Sequence, residues 1–150
     1  MSAGSWPVEV GWAYVEGVAD AYLIRPAEQW SITVWDVNAG RCTACQSNSS
    51  TGKDYNRSDV CDHLCAALEG FEVYSDAPDW DEYWMMRLFD AAGRKVAIKL
   101  FDFAKLMPRM QPSEKEKLLL KAELRGARRH RAADDALYLQ TLYRLTHAAG

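Results

Sequence analysis

His130 is followed five positions later by Asp135, in the run His130-Arg131-Ala132-Ala133-Asp134-Asp135 on the approach to a C-terminal helix. Upstream, Trp80-Asp81-Glu82-Tyr83-Trp84 opens another helix just after a strand. Two carboxylates and an imidazole, brought together from distant parts of a chain, are the working parts of a metal-dependent phosphodiesterase. Hard divalent cations such as Mg2+ or Mn2+ take carboxylate oxygens. Two such ions can hold a scissile phosphate, activate water and stabilise the leaving oxygen. A neutral histidine beside them can accept the water's proton. The acidic positions leave alternatives open. Asp76, Asp79 and Asp81 crowd together, with Asp76 the alternative to Asp81, and in a continuous helix Asp134 would share the face of His130. A third acidic cluster, which such a site needs, is not among these residues.

The elements that must position these side chains follow from the pattern of apolar residues. Residues 7–16 and 19–25 read as a β-hairpin broken at Gly17. Residues 29–36 form a loop carrying Trp30 and Trp35, and the polar stretch 38–57 reads as an irregular loop, unusually long for a compact domain. Ser58 can cap a helix to Glu69 with Val60, Cys61, Leu64, Cys65 and Leu68 on one face and Gly70 as its stop. A short strand over 71–75 precedes a helix from Asp79 to Ala92, closed by Gly93. Asp81 thus lies just past a strand end, where α/β folds expose functional side chains. A strand over 95–100 and a helical turn over 101–106 come next. Ser113-Glu114-Lys115-Glu116 reads as a capping box opening a helix to Leu124. The last helix spans 131–147 with Leu137, Leu142 and Leu145 facing inward. A hairpin followed by alternating helix and strand predicts one α/β domain over residues 1–150.

The chain is long enough for one real core, and its 49% apolar content with six Trp argues for a globular protein. A net charge of −3 means that any nucleic-acid contact must come from a local basic patch. No run approaches a membrane span, and no charged start leads into an apolar run, so no signal peptide and no membrane partner are expected. Four Cys without such a signal predict a reduced, cytoplasmic protein.

The spacing of His130 to Asp135, the aromatic-Asp pair Trp80-Asp81 with Tyr83 and Trp84 after it, and the segments GSWPVEVGWAYVEG, YLIRP and VYSDAPDWDEYW together resemble the DEDDh-type 3′–5′ exonucleases. The resemblance covers nearly the whole chain except residues 41–52. It implies a ribonuclease H-like mixed sheet flanked by helices. It also implies Asp81 and Asp135 as ligands of two Mg2+ or Mn2+ ions, His130 as general base, and single-stranded 3′ ends of DNA or RNA as substrate. A homodimer is compatible with it. In that family a first Asp-x-Glu motif lies on the first, central strand, upstream of the segment that matches Gly4-Ser5-Trp6-Pro7. Glu9, in the next strand, is a poor substitute. The expectation is a chain without its first strand, inactive or nearly so and of reduced stability, because neighbouring backbone groups lose their partners.

Residues 41–52 read RCTACQSNSSTG where relatives carry a His-Gly-hydrophobic segment. A codon set for these twelve residues, entered two nucleotides later, reads Leu-His-Gly-Leu-Ser-Ile-Glu-Gln-Leu-His-Gly. A pair of compensating frame shifts bracketing Gly40 to Gly52 is therefore the expectation, and the gene's nucleotide sequence tests it.

Two rival readings compete. Cys42-x2-Cys45 and Cys61-x3-Cys65, with His63 between the second pair, approach a zinc pattern. Against it, Cys61 and Cys65 fall on an apolar helix face, where cysteine acts as a small hydrophobe. Arg125, Arg128 and Arg129 lie near the proposed site and can contact phosphates, whereas Lys115, Lys117 and Lys121 read as a solvated face. Trp30 and Trp35 can stack on bases, although core packing is the simpler role. The enzyme reading is a metal-dependent 3′–5′ exonuclease. The binding reading is a catalytically dead nucleic-acid-binding domain, and the third is a zinc-stabilised interaction module.

Overall fold

Two strands, β1 (Glu9–Ala13) and β2 (Ala19–Ile24), flank a turn at residues 14–18, so the first strand of the expected hairpin stops at Ala13 rather than reaching Glu16. The computed structural model describes residues 7, 9–25, 27, 54–125 and 131–147. Chain order continues with β3 (Asp54–Tyr55), α1 (Arg57–Leu68), β4 (Val73–Ser75), α2 (Pro78–Ala91), β5 (Leu100–Asp102), a 3-10 turn (Phe103–Leu106), α3 (Pro112–Arg125) and α4 (Ala132–His147). The class is mixed α/β, with a three-stranded sheet in the order β1-β2-β3 and a two-stranded sheet of β4 and β5. No helix among the described residues is long and apolar enough to cross a membrane.

The contacts divide the chain into two compact units, one of residues 1–10 and 22–101, the other of residues 11–21 and 102–150. In the first unit α1 packs on α2, and α2 on β4. Its buried side chains include Ile24, Val60, Cys61, Leu64, Leu88, Phe89 and Leu100. Burying a side chain the size of Leu88 or Phe89 contributes about 1.5–3 kcal/mol each. Asn56, rather than Ser58, caps α1, its side chain accepting from the Ser58 amide at 3.2 Å. α2 ends at Gly93 with φ +68°, where the Arg94 amide donates to the Phe89 carbonyl and the Gly93 amide to Asp90. That paired closure needs a left-handed residue, which glycine supplies without a Cβ penalty.

In the second unit α3 packs on α4, and Trp12, Phe103, Ala122, Tyr138 and Leu142 are buried. The capping box of α3 is set two residues earlier than expected. Pro112 is the first helical residue, the Gln111 amide donates to the Glu114 carboxylate at 3.0 Å, and the Gln111 carbonyl accepts from Glu114 and Lys115. Proline at the first helical position explains the shift, since its φ suits a helix start and it lacks the N–H that would go unpaired there.

Three further expectations are corrected. Residues 95–99 are not strand. They keep the alternation, with Val96 and Ile98 half-buried between exposed Lys95, Ala97 and Lys99, but pairing starts only at Leu100 because β4 offers three residues. Residues 54 and 55, expected in the irregular loop, form β3 parallel to β2, with Leu23 opposite Asp54 and Ile24 opposite Tyr55. Leu137, expected inward, is 39% exposed, while Tyr138 and Leu142, four apart, define the buried face. Trp30, Trp35, residues 38–53 of the long loop, with Cys42 and Cys45, and residues 126–130 lie outside the described residues, while Asn56 and Arg57, also expected in that loop, cap and open α1.

Candidate active site

β4 ends on Ser75, which is buried at 6% exposure. The chain then bends through Asp76 and Ala77, and Pro78 starts α2. The Ser75 hydroxyl accepts a hydrogen bond from the Ala77 amide at 2.9 Å and donates to Oδ2 of Asp81. The Asp81 amide in turn donates to the Ala77 carbonyl at 3.0 Å. Strand end, bend and first helical turn are therefore tied into one knot around the Asp81 carboxylate. Asp79 and Asp81 both sit in the first turn of α2, where the helix dipole favours negative charge.

The Asp81 carboxyl is pushed above the ordinary carboxylate range. Loss of water around it is the largest cause, the bond from Ser75 works the other way, and the charge of Asp76 adds to the rise. The residue taken whole is exposed. At the carboxyl end, Oδ2 is engaged by the Ser75 hydroxyl. A carboxylate that is short of water and faced by a like charge gains more than usual from a nearby cation. The two acids that competed for this role are thus electrostatic neighbours, and both offer the hard oxygen that Mg2+ or Mn2+ takes.

Aromatic side chains flank this helix start. Trp80, 47% exposed, stacks on Trp84 with centroids 6.4 Å apart and rings 21° from parallel. Tyr83 meets Trp80 and Trp84 edge-on, at 6.2 and 5.0 Å, and its hydroxyl accepts from Arg87 at 3.0 Å.

Asp135 belongs to the other unit. It lies half-buried in the first turn of α4 beside Asp134, its amide donating to the Arg131 carbonyl at 2.9 Å. Two features set where α4 begins. A Cβ on Gly11 of β1 would stand 2.6 Å from the Ala132 carbonyl carbon and 2.8 Å from both the Ala132 oxygen and the Ala133 nitrogen, so strand and helix backbones touch directly. Further along, buried Gln140 donates its amide to the carbonyls of Tyr14 and Gly17, the latter at 2.9 Å, and Arg144 Nε donates to Val15 at 2.8 Å. Gly17 has φ +142°, a conformation that other residues rarely adopt.

Of the residues singled out from sequence, Asp81 and Asp76 are brought near each other. Asp81 and Asp135 fall in different units. Arg125 is the exposed last residue of α3, while Arg128, Arg129 and His130 lie outside the described residues. Among the described residues, no three His, Cys, Asp or Glu side chains gather to hold a metal ion. A two-metal set would need donors beyond Asp81 and Asp76. Cys61 is fully buried and its thiol is pushed up to about 11, first by burial, while Cys65 is half-buried.

Sequence reasoning missed Ser75 and Gln140. A serine directly before an Asp-Ala-Pro bend is a turn-capping signal for the first. A lone amide between Tyr138 and Leu142 is the signal for the second. No protein-family model, curated protein or solved structure matches this chain.

Proposed function

We propose that the chain carries the site of a metal-dependent nuclease of the ribonuclease H-like, 3′–5′ exonuclease type, acting on single-stranded ends of DNA or RNA in the cytoplasm. The observation that supports it is the Asp81 carboxylate, which is held at a strand end by a buried hydroxyl and lies near Asp76, so that it offers hard oxygen to a divalent cation. Asp135, at the first turn of a helix anchored against β1, is the second proposed carboxylate. His130, five residues before it, is the proposed base that takes the proton of the attacking water. Arg125, Arg128 and Arg129 are proposed to hold phosphates. Bound Mg2+ or Mn2+ would supply charge for the phosphate and a more acidic water. The protein's own part is to orient that water, remove its proton and hold the strand. A homodimer is compatible with this reading.

A second reading is a domain that binds nucleic acid without cutting it. One experiment separates the two. A 5′-labelled single-stranded oligonucleotide is incubated with the chain in Mg2+, in Mn2+ and in EDTA, beside the variants D81N, D135N and H130A. The enzyme reading expects stepwise shortening from the 3′ end that needs metal and is lost in all three variants. Retention of the oligonucleotide with no shortening favours the binding reading. Neither cleavage nor retention refutes both.

A further inference from the structure

We propose that α3 pairs in parallel with α3 of a second copy of this chain, through a line of leucines edged by glutamates on one side and lysines on the other. The inference stands apart from the nuclease reading. α3 carries two apolar lines. Leu118 and Ala122, four residues apart, share one side, where Leu118 is half-buried and Ala122 fully buried. Leu120 and Leu124, also four apart, share the opposite side, since two residues turn an α-helix by about 200°. α3 packs on α4, yet Leu120 remains 56% exposed and Leu124 80%. One apolar stripe is what a helix needs to join its own core. A second one, on the far side and in water, is a surface for a partner.

The charges beside that line point to the kind of partner. At about 100° per residue, Glu116 and Glu123 lie along one edge of it, and Lys117 and Lys121 along the other. All four are exposed, and none has an ion-pair partner among the described residues. When two such helices are related by a two-fold axis running along them, the acidic edge of each meets the basic edge of the other. Glu116 of one copy then lies beside Lys121 of the second. In an antiparallel pair like edges meet, and glutamate faces glutamate while lysine faces lysine. Lys117 lies nearest the leucines and meets its own counterpart. Its alkyl stem lengthens the seam, and its ammonium keeps the affinity low. With two leucines from each helix, the dimer is a weak one that forms as concentration rises.

The test is sedimentation equilibrium of the full chain from micromolar to near-millimolar concentration, with thermal melting of dilute protein beside it. The wild type should pass from monomer to dimer over this range. L124K sets like charges in the seam and should abolish the dimer. Its dilute melting temperature should match the wild type, because this side chain is already in water. E116K and K121E each bring like charges together at two symmetric places, and each should weaken association about tenfold. The double variant E116K/K121E restores opposite charges and should associate as the wild type does. Tighter association of E116K is the signature of an antiparallel pair and overturns the proposal. So does a wild type that stays monomeric throughout, or a dimer that survives L124K. Loss of folding in dilute L124K would assign Leu124 to the core of a single copy and overturn it as well.

Discussion

Replacing Gly11 by alanine tests what sets the start of α4. Gly11 lies within β1, whose backbone any residue can adopt. The obstacle is space: the new Cβ would stand 2.6 Å from the Ala132 carbonyl carbon, where ordinary contact begins at 3.4 Å. Its neighbours are backbone atoms of a helix, which have no rotamer to change. About 0.8 Å of movement is needed. The helix is held again at Gln140, eight residues and about 12 Å further along. A rigid rod pivoting there would tilt by about 4° and carry the Asp135 backbone roughly 0.5 Å from its place. Overpacking of this kind costs about 2–3 kcal/mol, or a fall in melting temperature of roughly 6–10 °C for a chain of this size. The comparison is G93A, where a Cβ meets nothing within 4 Å and only the positive φ is strained, at about 1 kcal/mol. Urea unfolding gives the free energies, and hydrogen exchange reports amide protection in the first turn of α4. If the nuclease reading holds, a 0.5 Å displacement of Asp135 should slow cleavage about tenfold, half of the logarithmic loss for a 1 Å misplacement. A G11A chain within about 0.5 kcal/mol of wild type, with unchanged protection over residues 132–136, would refute the reasoning.

Three other substitutions and treatments have defined outcomes. Gln140→Leu keeps the buried volume but strips the donors from the Tyr14 and Gly17 carbonyls, so stability should fall by about 1–3 kcal/mol by urea titration; a neutral result would mean that the turn carbonyls find water instead. Asp81→Asn should be more stable than wild type at pH 7. The folded carboxyl holds its proton more tightly than the unfolded one, so its ionised form opposes folding above the folded pKa, and that cost disappears as pH falls through it. The advantage of D81N in melting temperature should therefore shrink in acid, and a D81N chain less stable than wild type at pH 7 would count against the burial argument. Cys61, with its thiol near 11 and no exposure, has about one thiolate in a thousand molecules at pH 8. Iodoacetamide followed by mass spectrometry should label it only after urea is added, and rapid labelling of Cys61 in the folded chain would place it at the surface.

The helices were legible because their signals are local. Gly70 and Gly93 mark stops with positive φ, and Asn56 and Gln111 sit at starts within two residues of those read from the sequence. The short strands were harder, since a run of two or three residues has no period of its own and exists only because a partner lies beside it. Val96 to Lys99 alternate as a strand should and remain unpaired as one, while Asp54 and Tyr55 show no alternation and pair with β2. The candidate site divides along the same line. An acid just past a strand end is visible in the text, and the structure places Asp81 there, in the first turn of α2. The hydroxyl that holds it is six residues away across a bend, where strand gives way to helix and neither period carries through. Asp135 was likewise visible as a helix-start acid, but its position depends on a glycine near the other end of the chain, chosen for the side chain it lacks. Chemistry-bearing residues announce themselves by type, whereas the residues that aim them are ordinary in type and are recognised only by contact. It follows that G11A, which removes no proposed ligand, probes the second unit's part of the candidate site in a way that a carboxylate deletion does not: the Asp135 carboxylate stays and its backbone moves.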